Sequence, residues 1–452
     1  MALRDAISYY HDLLDDELAA ASQAQLDDQM HLRGLYFGDR PLCTVLRPRF
    51  FTPEGYRYLQ GRLRIVLGAF DRAYRRALDD ADLRAQFGLQ DWEERLIEYD
   101  PGFAAPSPTA RLDTFFQPET HALQLVEYNA ETPAAPAYND VLTEVFYGLP
   151  AMRAFHRRYM VSPLPARQNV LYALLNAYRA ASSGLEKPRI AVLDWREVPT
   201  YSEHLLFTDY FHQHGLECIT ADPRNVEYRG GRLMAGDYHI TLIYKRVLLS
   251  ELVDRCGLDS PVMRAVRDGA VCMANPVRCK ILHKKASLAV LSDERNADLF
   301  DAEQREAIAA HIPWTRRVEE RTTLFAGAPV DLIPLIIEQR ERFVLKSNDE
   351  YGGKGIVLGW QTDAAEWERA VQTALAEPFV VQERVDIPSE PYPSMATDGR
   401  VVLAERIQDT APFVFEGQFV DGCLTRLSTE ALVNVTAGGG STVPSFIVAE
   451  RP

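Results

Sequence analysis

Two short apolar runs, Phe343-Val344-Leu345-Lys346 and Ile356-Val357-Leu358-Gly359-Trp360, flank the segment Ser347-Asn348-Asp349-Glu350-Tyr351-Gly352-Gly353-Lys354-Gly355. Runs of this kind read as strands, and the glycines between them allow a loop whose N–H groups approach an anion closely. Lys346, at the end of the first strand, is placed to hold a phosphate oxygen as a fixed cation, beside Gly352, Gly353 and Lys354. The loop is not a Walker A. Asn348 stands where its first glycine belongs, Gly355 replaces the Ser/Thr, and a strand rather than a helix follows. On its own, the segment reads better as a hairpin with a solvated tip.

The next thirty residues make the loop more informative. Asp363 and Glu366 form a capping-box pattern that opens a helix to about residue 377, Pro378 stops it, and Phe379-Val380-Val381-Gln382-Glu383 is a further strand. Gln382 and Glu383, at its end, offer hydrogen-bonding groups for an exocyclic amine. Upstream, residues 1–95 read mainly as helix. Across 56–83 the apolar residues Leu59, Leu63, Val66, Leu67, Phe70, Tyr74, Ala77 and Leu78 recur at helical spacing. Arg189-Ile190-Ala191-Val192-Leu193 reads as a buried parallel strand, followed by a helix over 202–214, a strand over 217–220, a turn at Gly230-Gly231 and a strand over 240–244. This is a βαβ-type unit without GxGxxG, which disfavours a dinucleotide site. Residues 280–310 are rich in helix, and the last sixty alternate strand and turn.

A second constellation lies far upstream of the loop. Arg111-Leu112-Asp113 precedes Val126-Glu127-Tyr128-Asn129, and residues two apart on a strand share one face. Asp113, Glu127 and Asn129 are hard oxygen ligands suited to Mg²⁺ beside nucleotide phosphates, and Arg111 would neutralise a transferring phosphoryl group. Spacing alone equally allows a surface ion pair.

The 452 residues carry a net charge of -15, with only short basic clusters, which argues against nucleic-acid binding. An apolar content of 47% can bury a large core, and no run reaches the ~18 apolar residues a membrane span needs. The N-terminal stretch lacks a basic region followed by an apolar one, so no secretory signal is expected. Six scattered cysteines without a CxxC pair suggest reduced thiols and a cytoplasmic location.

The Arg-x-Asp pair followed by Glu127-Tyr128-Asn129-Ala130-Glu131-Thr132-Pro133 resembles the metal-binding signature of glutathionylspermidine synthetase and related circularly permuted ATP-grasp ligases. In that group the metal ligands precede the glycine-rich loop, as here. Tyr244-Lys245-Arg246 and Val271-Cys272-Met273-Ala274-Asn275-Pro276 resemble its Tyr-Arg-Arg and Val-x-x-x-Asn segments. Lys285-Ala286 falls where its first ATP lysine sits. Leu424-Thr425-Arg426-Leu427, Val433-Asn434 and Gly438-Gly439-Gly440-Ser441 resemble its terminal segment. The likeness covers about 111–448. Lys245 replaces an arginine of many relatives, and His283-Lys284 stands where an Asp-Asp would precede Lys285, leaving Lys284 or Lys285 as the first ATP lysine. Nothing matches the Cys/His amidase domain of the bifunctional synthetases.

The resemblance implies an α/β (α+β) protein with a circularly permuted ATP-grasp fold. Its expected parts are a helical N-terminal region (1–100), the metal-binding part of the core (101–185), a βαβ, pre-ATP-grasp-like sub-domain (186–278), a nucleotide-binding lobe (279–390) and the C-terminal part of the core (391–452). It implies an ATP- and Mg²⁺-dependent ligase joining a carboxylate to an amine through an acylphosphate. Lys285, Lys346, Gly352, Gly353, Lys354, Gln382 and Glu383 would hold ATP, with Asp113, Glu127 and Asn129 on the metal. Arg111 would face the γ-phosphoryl group, and Arg246 or Arg426 a substrate carboxylate or phosphate. The expected partners are small-molecule or peptide substrates, and the N-terminal helices could cover the cleft or join copies into an oligomer. A phosphotransferase on the same nucleotide site, or a nucleotide-binding protein without turnover, remain as alternatives.

Overall fold

The computed structural model describes residues 3–182, 186–350, 352–429 and 440–451. Tyr351, Val433, Asn434, Gly438 and Gly439 lie outside the described residues. The chain is a mixture of helices and several separate sheets, an α+β arrangement.

The periodic segment forms the helix Pro53–Asp79. Thr52 caps it by accepting from Gly55 N, with Pro53 in the first turn where no N–H is needed. Its stripe of Leu59, Leu63, Val66, Leu67 and Phe70 is fully buried, and the Phe70 ring meets Tyr128 edge-on at 4.9 Å. The helix thereby packs directly behind the strand that carries Glu127 and Asn129. The N-terminal region is not wholly helical. Arg49–Phe51 is a strand paired parallel to Ser441–Glu450, with Phe50 opposite Phe446.

The largest sheet joins distant parts of the chain. Its strands run in the order Ser389–Met395, Val401–Gln408, Phe419–Ser428, Ala411–Phe415, Thr109–Gln117 and Ala122–Asn129, and Ser441–Glu450 adds to Phe419–Ser428. Phe413 lies opposite Arg111, so the C-terminal strands extend the hairpin that bears the candidate metal ligands.

A four-stranded parallel sheet follows the βαβ expectation, in the order Cys272–Ala274, Leu242–Lys245, Arg189–Leu193, Glu217–Ala221. The strand expected over 240–244 is in fact two. Thr241 N donates to Arg189 O while its Oγ1 accepts from Arg189 N. These bonds divide Tyr238–Ile240, which joins an antiparallel three-stranded sheet, from Leu242–Lys245.

The loop-bearing lobe is an antiparallel sheet of Thr315–Arg317, Phe379–Glu383, Phe343–Ser347 and Ile356–Leu358. Alternation along Phe343–Ser347 sends Phe343 and Leu345 into a core with Trp367, Val371 and Val381, while Val344 and Lys346 face the other way, into a cavity. The helix Ala364–Ala376 covers the apolar side, capped by Asp363 accepting from Glu366 N. Among the described residues no helix is long and apolar enough to cross a membrane.

Candidate active site

The hairpin Thr109–Asn129 sets the first wall. Its register places Asp113 opposite Glu127 and Arg111 opposite Asn129, with an irregularity just after Asp113. All four line one cavity. The facing sheet contributes Lys346 and Gln382, and the loop Gly352 and Gly353. Arg426 comes from the C-terminal strand Phe419–Ser428, and Asp409 from the link between Val401–Gln408 and Ala411–Phe415.

The charges in this cavity are interlocked. Arg111 donates from Nε to Asp113 Oδ1 at 2.9 Å and from Nη2 to Oδ2 at 3.3 Å, while its Nη1 reaches Ala134 O at 3.1 Å. Arg426 Nη2 donates to the same Asp113 Oδ2 at 2.7 Å. Burial raises the Asp113 carboxyl, but the two guanidinium groups outweigh it and hold it well below the usual carboxylate range. Glu127 lies 3.1 Å from Lys285 Nζ, and that ammonium lowers its carboxyl against the opposing effect of burial. Both acids are therefore ionised at neutral pH. Asn129 Nδ2 is buried without a hydrogen-bond partner.

Lys346 Nζ donates to Gln382 Oε1 at 2.7 Å and to Val126 O at 3.2 Å, and burial pushes its ammonium down to about 8. Gln382 in turn donates to Thr315 Oγ1 at 3.0 Å, so its side chain fixes the lysine. Glu383 lines the cavity, but its carboxylate accepts from Arg342 Nη2 at 2.9 Å. Beyond Lys346 the cavity becomes apolar, walled by Val344, Ile356, Leu358, Trp360, Val385 and Ile387. The Arg384 guanidinium lies 4.5 Å from the Trp360 ring centre.

The two adjacent lysines point in different directions. Lys285 reaches Glu127 and the Glu350 carbonyl, while its backbone N donates to Asn348 O. Lys284 turns away, to Glu93 at 2.8 Å and Asp349 at 2.8 Å. It belongs to a buried cluster under the loop in which Lys280, Lys284 and Lys245 balance Glu93, Glu131 and Asp349. Burial lowers His283 to about 4, leaving it neutral there. Glu131, His283 and Asp349 come close enough to share a cation, yet the three ammonium groups already satisfy the acids.

Gly352, Gly353 and Gly355 all have positive φ. At Gly355 the need for glycine is also steric, because a Cβ would fall 2.7 Å from Ser347 Cβ. Lys354 is exposed on the loop.

Arg246 stands apart from the cavity. It is buried, donates to Pro133 O, and lies 3.4 Å from Glu203, whose carboxylate accepts from Ala135 N and Ala137 N. Its observed contacts brace the turn after Asn129. Asn275 does the same from the parallel sheet, donating to Thr109 O, Ala130 O and Glu131 O.

The chain matches no protein-family model and no curated protein. Among solved structures it is similar to a glutathione synthetase like-effector (GSS30) from Globodera pallida in apoform. The TM-score is 0.60 over 96% of this chain and 98% of that one, with 11% sequence identity. At that identity the likeness is one of fold.

Sequence reasoning missed Asp409, Trp360 and Arg384. Asp409 is a single acid in Gln408-Asp409-Thr410 between two strands, and only the sheet pairing brings it to Arg426 and Asp113. Trp360 ends the run expected as a strand over 356–360 and Arg384 follows the strand Phe379–Glu383, so a search at strand ends would have found them.

Proposed function

We propose that this protein is an ATP- and Mg²⁺-dependent ligase that joins a carboxylate to an amine through an acylphosphate, on a circularly permuted ATP-grasp fold. The observation that carries the reading is the convergence, in one cavity, of an acid–amide hairpin, a glycine loop and a lysine-bearing strand that are far apart in sequence. The fold likeness to a glutathione synthetase-like protein supports it independently.

The donor set fits a divalent cation. Asp113 and Glu127 are ionised cross-strand neighbours, and Asn129 shares the face of Glu127 and brings an amide oxygen of the type a hard cation takes. These three would hold Mg²⁺, which neutralises phosphate charge when bound. Five cations (Arg111, Arg384, Arg426, Lys285 and Lys346) stand against four acids (Asp113, Glu127, Glu383 and Asp409) in and beside the cavity, a positive excess that favours an anionic ligand. Lys346 and Lys285 would hold phosphate oxygens, and Gly352 and Gly353 would donate backbone N–H groups. Arg111, held in place by Ala134 O, would face the transferred group. The apolar slot beside Trp360 and Arg384 suits a purine ring. Closing the loop would keep water from the acylphosphate until the amine displaces phosphate.

The test is incubation with ATP and Mg²⁺ together with pooled carboxylic acids and pooled amines, with products weighed by mass spectrometry. A condensed product that requires both pools supports the ligase. A stable phosphate ester of an alcohol that accumulates whether or not amine is present points to a phosphotransferase instead.

A further inference from the structure

Arg426 and a metal ion would draw on the same carboxylate, that of Asp113. Asp113 Oδ2 accepts from Arg426 Nη2 at 2.7 Å, and both Asp113 oxygens are also engaged by Arg111. Three of the four acceptor positions of this carboxylate are thus taken, and a cation that ligates through Oδ2 must displace a guanidinium. The two are not equally easy to move. Away from Asp113, Arg111 would keep only a neutral carbonyl, Ala134 O, whereas Arg426 would keep a carboxylate. Asp409 grips Arg426 at both ends. Its Oδ1 accepts from Arg426 N at 2.7 Å, its Oδ2 accepts from Nε at 2.6 Å and lies 2.5 Å from Nη2, and Asp409 N donates back to Arg426 O at 3.1 Å. Asp409 is buried and can balance the charge of Arg426 alone.

We infer that Arg426 competes with the divalent cation for Asp113 and, once displaced, serves the nucleotide phosphates, with Asp409 as the positioning residue that keeps it in the cavity. The inference rests on the reading of Asp113, Glu127 and Asn129 as metal ligands. It explains why a candidate metal carboxylate is shared by two arginines. One of them stays, and the other is exchanged for the cation and moves onto the anion that the cation accompanies.

The experiment is Mn²⁺ titration of the full chain without nucleotide, read by the electron paramagnetic resonance of free Mn²⁺, followed by titration of a non-hydrolysable ATP analogue at saturating Mn²⁺. Arg426→Gln should bind Mn²⁺ about tenfold more tightly than the wild type, because a competing cation is gone. The same variant should bind the analogue about tenfold or more weakly, because a charge-assisted bond to phosphate is lost. Asp409→Asn should bind Mn²⁺ more weakly, since Asp113 is then the sole counter-charge of Arg426. Arg384→Gln removes a cavity cation that has no bond to Asp113, and should shift Mn²⁺ binding by less than about threefold.

A purely structural Arg426 would make both ligands bind worse on removal, which overturns the inference. So does Arg426→Gln binding Mn²⁺ no more tightly than Arg384→Gln. If Arg426→Gln does not fold, the double variant Arg426→Gln/Asp409→Asn leaves no buried charge unpaired and is read in the same way. Glu127→Gln separates the two levels. If it leaves Mn²⁺ binding unchanged, the metal reading falls and this inference with it. If it abolishes binding while Arg426→Gln gains nothing, only this inference falls.

Discussion

Replacing Lys346 with methionine separates nucleotide binding from stability. In the folded protein its ammonium is buried, its pKa pushed down to about 8 from the ordinary 10.5, with Gln382 Oε1 at 2.7 Å as its main partner. A lysine whose folded pKa is depressed destabilises the fold below that pKa, where the buried group must stay charged. The penalty disappears as pH rises from 8 towards 10.5. At ~1.4 kcal/mol per unit it amounts to about 3 kcal/mol at pH 7. Methionine removes this cost, but it leaves Gln382 Oε1 unsatisfied, at about 1–3 kcal/mol. The two nearly cancel, so Lys346→Met should unfold within about 1–2 kcal/mol of the wild type. Affinity for a non-hydrolysable ATP analogue has no such compensation. Losing a charge-assisted bond of about 1.5–3 kcal/mol should weaken it about 10- to 150-fold at pH 7.

The wild type carries a second signature of the same group. Only about a tenth of Lys346 is protonated at pH 9 if its pKa is about 8, so binding a phosphate should draw in close to one proton there and almost none at pH 6.5. Calorimetric titration in buffers of different ionisation enthalpy measures this uptake directly. Unchanged analogue affinity in Lys346→Met, or no proton uptake at pH 9, would refute the placement of phosphate at this lysine.

Other expectations rest on the same geometry. Glu127→Gln and Asn129→Ala should each lower ATP turnover by at least ~100-fold at saturating Mg²⁺ while circular dichroism stays native. Gly355→Ala, with φ +66 and a Cβ contact of 2.7 Å to Ser347, should cost about 1–3 kcal/mol in denaturant unfolding and loosen analogue binding. Arg246→Met should destabilise by about 3–5 kcal/mol by leaving Glu203 buried and unpaired, and adding Glu203→Gln should recover part of that loss. Recovery of stability without change at the cavity would show that Arg246 braces the turn rather than binding substrate.

How much of this was legible in the sequence depended on distance along the chain. Arg189–Leu193 and Phe379–Glu383 could be read directly, because short apolar runs bounded by turn residues have few other ways to fold. The pairing of Arg49–Phe51 with Ser441–Glu450 could not, since three residues carry no periodicity and their partner lies at the other end of the chain. The break at Thr241 depends on two hydrogen bonds to Arg189, which no local pattern reveals. The face shared by Arg111 and Asp113, and that shared by Glu127 and Asn129, followed from the strand period. That the two faces meet, and that Asp409 joins them, is decided only by the sheet. Lys284 and Lys285 are neighbours in sequence, and that they point in different directions is visible only in the structure.

The central claim is that ATP activates a carboxylate, and hydroxylamine tests it most directly. With Mg²⁺, ATP, the acid substrate and hydroxylamine in place of the amine, the account predicts ADP, free phosphate and a hydroxamate in equal amounts, and almost no ATP hydrolysis when the acid is left out. Stoichiometric transfer of the γ-phosphate to a stable product, with neither free phosphate nor hydroxamate, would contradict it.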